Sequence, residues 1–170
     1  MLRLYILRHA KAAMAAPGMK DFDRELSARG VDDAQQMAKV MRAHGYGPQT
    51  IACSPSRRTL MTLEGIKPAL ENKPHAVDFP QALYHGDTDD YFAAIHAFNG
   101  AREGMVIGHN PNCEIVASLL CAGGEPDAIE TMNRKFPTGA LAVFDLAIDD
   151  WTQAKPGCGH LKAFIIPKEL

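Results

Sequence analysis

Short apolar runs alternate with amphipathic segments along most of this chain of 170 residues. The apolar runs are rich in β-prone residues and lie at 4–7, 50–53, 76–79, 105–107, 140–146 and 161–166. Each of the first four is followed, directly or after a loop, by a segment in which apolar residues recur at helical spacing. The alternation predicts an α/β fold in three layers, with a mainly parallel central sheet and helices on both faces.

The first two helices have recognisable ends. The first is expected to begin at Ser27 or Gly30 and to end at Gly45, because glycine favours the left-handed conformation that closes many helices. The second should follow Ser54-Pro55 and reach about residue 70, although a glycine and a proline weaken its last turn. Before the first helix, residues 12–23 are rich in small residues and predict a loop.

The next two helices are also bounded by their capping residues. Thr88 is the expected N-cap of a helix that continues to Phe98. Asn110 is the expected cap of the following helix, with Pro111 in its first position. Glycines at 123 and 124 should end that helix, and a polar stretch follows before the two closing strands.

The bulk composition excludes several classes of protein. A length of 170 residues suits one domain spanning 1–170, and the 46% hydrophobic and 22% charged content is that of an ordinary globular protein. The net charge is −2 and the sequence has no run of lysines or arginines, so a nucleic-acid partner is not expected.

The cysteines and the N-terminus indicate a cytoplasmic protein. The four cysteines show no close pairing, and a chain of this size does not need disulfides, so reduced thiols are expected. The first apolar run is too short for a secretory signal, and no later segment is long enough to span a bilayer. Neither export nor a membrane partner is therefore expected.

Polar residues of the kind that bind phosphate follow three of the apolar runs. The first run ends in Arg8-His9, the second leads into 54–58 with two arginines, and the fourth ends in Gly108-His109-Asn110. Because the carboxyl ends of parallel strands meet at one crevice, these residues should converge there. Guanidinium groups and helix N-termini hold phosphate oxygens, and a neutral imidazole can accept a phosphoryl group. The sequence therefore predicts a phosphoryl pocket.

Two structural interpretations of the same residues stay open. His9 and His109 would each be ordinary hydrogen-bonded histidines at strand ends if the strands did not converge. A salt bridge to Asp21, Asp23 or Glu25 would occupy Arg8 or Arg24. Adjacent acidic pairs elsewhere fit helix starts and turns better than a metal site, so no metal is expected.

These motifs resemble the histidine phosphatase superfamily. The resemblance rests on Arg8-His9, on Ser54-Pro55-Ser56-Arg57-Arg58 and on Gly108-His109-Asn110-Pro111, which occur in the order typical of the family. The segment Asp23-Arg24-Glu25-Leu26-Ser27, followed by Gly30, is similar to a pattern in the small SixA-type branch of phosphohistidine phosphatases. The resemblance implies a phosphoglycerate mutase-like fold.

The resemblance also implies roles for individual residues. His9 would be the nucleophile, and Arg8, Arg58 and His109 would bind the phosphoryl group. Arg58 aligns with the family's pocket arginine, whereas Arg57 would point about 100 degrees away on a helix. The further residues expected to contact the substrate are Arg24, Asn110 and Ser54.

The implied reaction is metal-free, cofactor-free transfer through phospho-His9, followed by hydrolysis. The general acid is not identified: Asp87, Asp89 and Asp90 are candidates, and the position of the acid in larger relatives falls near Tyr84. A phosphohistidine substrate needs less help from an acid, so a phosphorylated protein, or else a small phosphorylated compound, is the expected partner. The alternatives are a phosphoglycerate mutase-like phosphotransferase and a phosphate-dependent binding module without turnover.

Overall fold

The computed structural model of the protein describes residues 1–71 and 75–170, and within these ranges seven strands form one sheet. The strands are β1 (Leu2–Arg8), β2 (Thr50–Cys53), β3 (Ala76–Asp78), β4 (Glu103–Gly108), β5 (Cys121–Gly124), β6 (Leu141–Leu146) and β7 (Gly159–Ile165). Their order across the sheet is β3-β2-β4-β1-β6-β7-β5. The two strands that end in histidine-bearing motifs, β1 and β4, are therefore direct neighbours.

Strand direction shows a mixed but mainly parallel sheet. The pairs β1–β4, β2–β4, β2–β3 and β5–β7 are parallel, and β6 is antiparallel to both β1 and β7. All the strands of the described ranges except β6 thus run in one direction. The predicted α/β class with a mainly parallel sheet is confirmed.

Helices cover both faces of this sheet. They are α1 (Ala28–His44), α2 (Arg57–Leu70), α3 (Ala82–His85), α4 (Thr88–His96), α5 (Asn112–Leu120) and α6 (Pro126–Arg134). Side chains of β1 alternate between the faces: Tyr5 and Leu7 pack in the cluster that holds α1 and α2, while Leu4 and Ile6 pack in the one that holds α4 and α5. The alternation confirms the three predicted layers. None of the helices in the described ranges is long and apolar enough to cross a membrane.

The bounds of α1 and α2 agree with the sequence pattern. Ser27 caps α1, its side chain accepting from the Gly30 N–H, and Gly45 ends the helix in the left-handed conformation, with φ of 70°. Helix α2 continues through Gly65 and Pro68 to Leu70. A Cβ on Gly65 would lie 2.4 Å from the Ala34 Cβ, so the glycine lets α1 and α2 approach closely.

Two later predictions are corrected. Helix α4 is capped by Asp87 rather than Thr88, because Asp87 and Asp90 form a reciprocal capping box. Helix α5 ends at Leu120, and the glycine-rich segment that was expected to end it forms the edge strand β5. Gly124 is needed there, since its φ is 148° and a Cβ would meet the Leu161 carbonyl.

The predicted polar stretch after those glycines also contains a helix. Residues Pro126–Arg134 form α6, in which Met132 is the only buried residue. A single buried position leaves little apolar periodicity to detect, which explains why the sequence pattern misses this helix.

Candidate active site

His9 follows directly on β1 and its backbone is held from both sides. The His9 N–H donates to the Gly108 carbonyl at the end of β4 (3.0 Å), and the Gly139 N–H donates to the His9 carbonyl (2.8 Å) from the segment before β6. The neighbouring Arg8 N–H donates to the Ala140 carbonyl (3.1 Å). The position of His9 is therefore fixed by the sheet on both flanks.

The hydrogen bonding of the His9 ring sets its tautomer. Nδ1 lies 2.7 Å from the Ala10 carbonyl oxygen, which can only accept, so Nδ1 carries the proton. The unprotonated Nε2 then keeps its lone pair. Burial lowers the pKa of His9 to about 4, and the positive charges of Arg58 and Arg8 act in the same direction, against the hydrogen bond to Ala10. The ring is therefore neutral at physiological pH.

His109 lies at the end of β4 and faces His9. The two ring centroids are 5.3 Å apart. The His109 N–H donates to the Tyr91 hydroxyl (2.9 Å), and the ring Nε2 lies 2.8 Å from the Ser54 Oγ. Burial lowers the pKa of His109 to about 3, with further lowering by His9 and Arg58. Its Nδ1 is buried and has no hydrogen-bond partner.

Arg8 reaches the same place from the end of β1. One of its terminal nitrogens, Nη1, donates to the Phe136 carbonyl (2.8 Å), while the buried Nε has no hydrogen-bond partner. Asn110 donates to the same Phe136 carbonyl (3.1 Å), and its Oδ1 accepts from the Glu114 N–H (3.2 Å). The N-cap of α5 is Pro111 rather than the expected Asn110, because the helix begins one residue later, at Asn112. Asn110 thus fixes the start of α5 and the segment that carries Phe136.

The two arginines at the start of α2 have different surroundings. The Arg58 side chain is only 10% exposed; its Nη1 donates to the Asp21 carbonyl (2.9 Å) and its Nη2 lies 3.1 Å from the Asp21 carboxylate. Arg57 is 52% exposed and its Nε lies 3.7 Å from the Glu25 carboxylate. The charge of Arg58 lowers the pKa of both His9 and His109, so Arg58 lies near the two histidines, whereas Arg57 is exposed beside Glu25.

The Asp23 to Gly30 motif closes the loop that follows β1. Ser27 donates to the Lys11 carbonyl through both its N–H and its hydroxyl, and Leu26 is buried. A Cβ on Gly30 would lie 2.1 Å from the Lys11 oxygen, so only glycine fits there. Arg24 donates to the Ala13 carbonyl and pairs with Asp21, one of the three carboxylates that the sequence left open.

Asp21 is the site residue that the sequence analysis did not assign. Its carboxylate accepts from the Tyr84 hydroxyl (2.8 Å) and pairs with Arg58 (3.1 Å) and Arg24 (3.2 Å). Partial burial opposes ionisation of Asp21, but these three hydrogen bonds outweigh it and lower the pKa to about 2. The i,i+3 spacing to Arg24 could have revealed that pair, whereas the contact with Arg58 depends on the tertiary fold.

Other expected site residues have different surroundings. Ser54 has no exposed surface, and its Oγ contacts the ring of His109. Asp87 and Asp90 are engaged in the cap of α4. Tyr84 packs edge-on against His109, with ring centroids 5.6 Å apart. In the ranges 1–71 and 75–170, no group of three or more His, Cys, Asp or Glu residues has an arrangement that would hold a metal ion.

The lowered pKa values of the two histidines predict an acid-sensitive fold. As the pH falls below about 6.5, the unfolded chain takes up protons at both positions, while the folded protein resists until about 4 for His9 and about 3 for His109. The free energy of unfolding should therefore decrease across this window. Urea unfolding of the protein and of His9→Gln at several pH values measures the effect.

The matched control is His44→Gln, since His44 is exposed on α1. In His44→Gln the free energy of unfolding should decrease with falling pH as steeply as in the unmodified protein. In His9→Gln it should decrease less steeply. Equal slopes in all three proteins would show that the neutral state of His9 contributes nothing to stability.

Comparisons with known proteins agree with this arrangement. Residues 4–83 match the model of the histidine phosphatase superfamily, branch 1. SixA from Agrobacterium tumefaciens is 31% identical, with a TM-score of 0.82 and 98% of each chain covered. A protein histidine phosphatase SixA complexed with tungstate is 26% identical, with a TM-score of 0.78 and 99% of each chain covered.

A chloroplastic protein from Arabidopsis thaliana is 32% identical over 178 aligned residues, which cover 97% of this chain and 78% of the relative. The family model covers residues 4–83, and the alignments with the Agrobacterium and Arabidopsis relatives extend over nearly the whole chain. The chain therefore belongs to the histidine phosphatase superfamily and resembles its small SixA members.

Proposed function

We propose that the protein is a metal-independent phosphatase that forms a phosphohistidine on His9 and acts on phosphohistidine in a partner protein. The observation that carries the proposal is the meeting of His9 and His109, 5.3 Å apart, beside Arg8 and Arg58. The Nε2 of His9 is unprotonated, and the buried Arg8 Nε and His109 Nδ1 lack hydrogen-bond partners. Buried polar atoms without partners are costly, and phosphoryl oxygens would satisfy them.

The first step transfers the phosphoryl group to His9. The Nε2 lone pair attacks phosphorus, a P–N bond forms, and the bond to the leaving group breaks with its electron pair going to the leaving atom. In the second step water attacks phosphorus and releases a proton to the solvent, and the electron pair of the P–N bond returns to Nε2. Inorganic phosphate leaves and neutral His9 is restored.

The other residues stabilise the transferring group. Negative charge on the phosphoryl oxygens is met by the guanidinium groups of Arg8 and Arg58 and by His109. Ser54 and Tyr91 hold His109 at its ring and at its backbone N–H. Arg24 lies at the edge of the site, where its charge adds to the lowering of the His9 pKa.

The open surroundings and the relatives favour a protein substrate. Asp21 is 53% exposed, and Met14, in the loop that holds Asp21, is 94% exposed, so a side chain on another protein has access to this edge. The relative whose structure contains tungstate, a tetrahedral oxyanion, is named a protein histidine phosphatase. A small phosphorylated compound would enter the same opening and is the second substrate class to assay.

Trapping the intermediate tests this function. The protein is incubated with a ³²P-phosphohistidine-bearing protein, or with a labelled phosphomonoester, in the presence of a chelator. We expect release of phosphate and a labelled enzyme whose label is labile in acid and stable in base. Phosphate binding without turnover would instead identify a binding module, and loss of turnover on chelation would contradict metal independence.

A further inference from the structure

A carboxylate lies among the positive groups of the proposed phosphoryl site. The Asp21 Oδ2 is shared between the Arg58 guanidinium (3.1 Å) and the Tyr84 hydroxyl (2.8 Å), and the Tyr84 ring lies nearly perpendicular to the His109 ring. Phe22 packs against the same tyrosine, with ring centroids 4.9 Å apart. These contacts fix Asp21 beside Arg58 and keep it ionised. A fixed negative charge beside a phosphate-binding arginine weakens anion binding, so it calls for an explanation.

Asp21 lies on the side of the site from which the leaving group departs. His9 is held at the end of the sheet and is nearly buried, so a phosphoryl group on Nε2 has the protein behind it. In-line transfer requires the leaving group to lie on the opposite side of phosphorus, toward solvent. Asp21 is half-exposed and joins Arg58 to Tyr84 at that outer edge. The Asp21 carboxylate therefore lies on the side of the leaving group, whereas the ends of the strands lie on the side of His9.

We propose that Asp21 is a specificity-determining residue that favours substrates whose ring is protonated when it binds over substrates whose leaving group departs as an anion. The inference deepens the proposed function and rests on it. A carboxylate attracts a protonated N-phosphoryl imidazole and repels a departing phenolate or a substrate with a further carboxylate. Like charges close to each other thereby exclude many phosphomonoesters without a steric barrier.

The same charge explains how a P–N bond breaks without a dedicated acid. The ring of an N-phosphoryl imidazole takes its proton on the nitrogen that does not carry phosphorus. When the His9 Nε2–P bond forms, the substrate P–N bond breaks and its electron pair goes to the substrate nitrogen, so the ring leaves as neutral imidazole. Asp21 favours the protonated ring as it binds, and therefore raises the reactive fraction.

Two small substrates with the same phosphoryl group separate this effect from phosphate binding. The ring of N-phosphoimidazole is protonated before the P–N bond breaks, whereas 4-nitrophenyl phosphate releases the 4-nitrophenolate anion. We expect Asp21→Asn to shift the ratio of kcat/KM values by about tenfold toward 4-nitrophenyl phosphate. Asp21→Glu should largely restore the original ratio, and high salt should reduce the shift.

The matched control is Asp23→Asn, which removes an equal charge from the same short 3₁₀ turn without contacting Arg58. It should change the ratio less than twofold. Equal loss of kcat/KM for both substrates in Asp21→Asn would show that Asp21 only orients Arg58, and would overturn the inference while the phosphatase activity stands. Absence of phospho-His9 with either substrate in the unmodified protein would overturn the proposed function and this inference with it.

Discussion

Replacing His9 by glutamine is expected to lower kcat/KM by about ten thousandfold or more and to abolish the labelled intermediate. The amide retains a hydrogen-bonding group of similar reach but has no basic lone pair with which to attack phosphorus. The second imidazole, that of His109, is held by Ser54 at Nε2 and has its Nδ1 buried, so it is poorly placed to replace His9. Residual release of phosphate and acid-labile label on the enzyme are the quantities to measure.

The control for His9→Gln is the exposed substitution His44→Gln, which should leave both quantities unchanged. Phosphate or tungstate binding by His9→Gln, measured by calorimetry, tests whether the pocket survives, since Arg8 and Arg58 remain. A variant that still forms a base-stable phosphoenzyme would place the nucleophile elsewhere. His109→Gln would then show whether the second imidazole carries the label.

Replacing Arg58 by alanine is expected to lower kcat/KM by about a hundredfold to a thousandfold, the usual loss when a fixed donor to a transition-state oxyanion is removed. The adjacent Arg57→Ala removes the same charge and the same side chain from an exposed position paired with Glu25, and should change kcat/KM less than twofold. Steady-state kinetics with one labelled substrate measures both variants.

The pair of arginine variants also tests whether the loss is structural. Asp21 keeps its contacts with Tyr84 and Arg24 in Arg58→Ala, so the loop should stay in place and the free energy of unfolding should fall only modestly. Equal kinetic losses in the two variants would contradict the assignment of Arg58 to the phosphoryl group. Unequal losses with equal stabilities would support it.

The approach of the two histidines could be predicted from the sequence because it follows from the order and direction of the strands. Parallel neighbouring strands bring their carboxyl ends together, so Arg8-His9 and His109 meet once β1 and β4 pair in parallel. Helical geometry then separates Arg58 from Arg57. Each of these steps uses local pattern and a general rule of α/β sheets.

Features that depend on one tertiary contact escaped prediction. The direction of β6 is set by its pairing with β1 and β7, which leaves no mark on its apolar sequence. Strand β5 contains Gly124 because its backbone approaches Leu161 of β7 closely there, whereas glycine in a sequence normally signals a turn. The role of Asp21 requires Arg58 and Tyr84 to come from two distant helices, so spacing along the chain cannot reveal it.

The hydrogen bonds on either side of His9 divide the site into a part whose amide hydrogens should exchange slowly with solvent and a part whose amide hydrogens should exchange fast. The amides of His9 and Gly139 bond to neighbouring backbone on the two flanks of β1, so their hydrogens should exchange with solvent only when the central sheet opens. The turn that carries Asp21 is exposed, and the side chains of Arg58 and Tyr84 join it to the rest of the protein. Its amides should therefore exchange through local opening. The reacting nitrogen would then keep its place while the segment that meets the substrate adjusts to different partners.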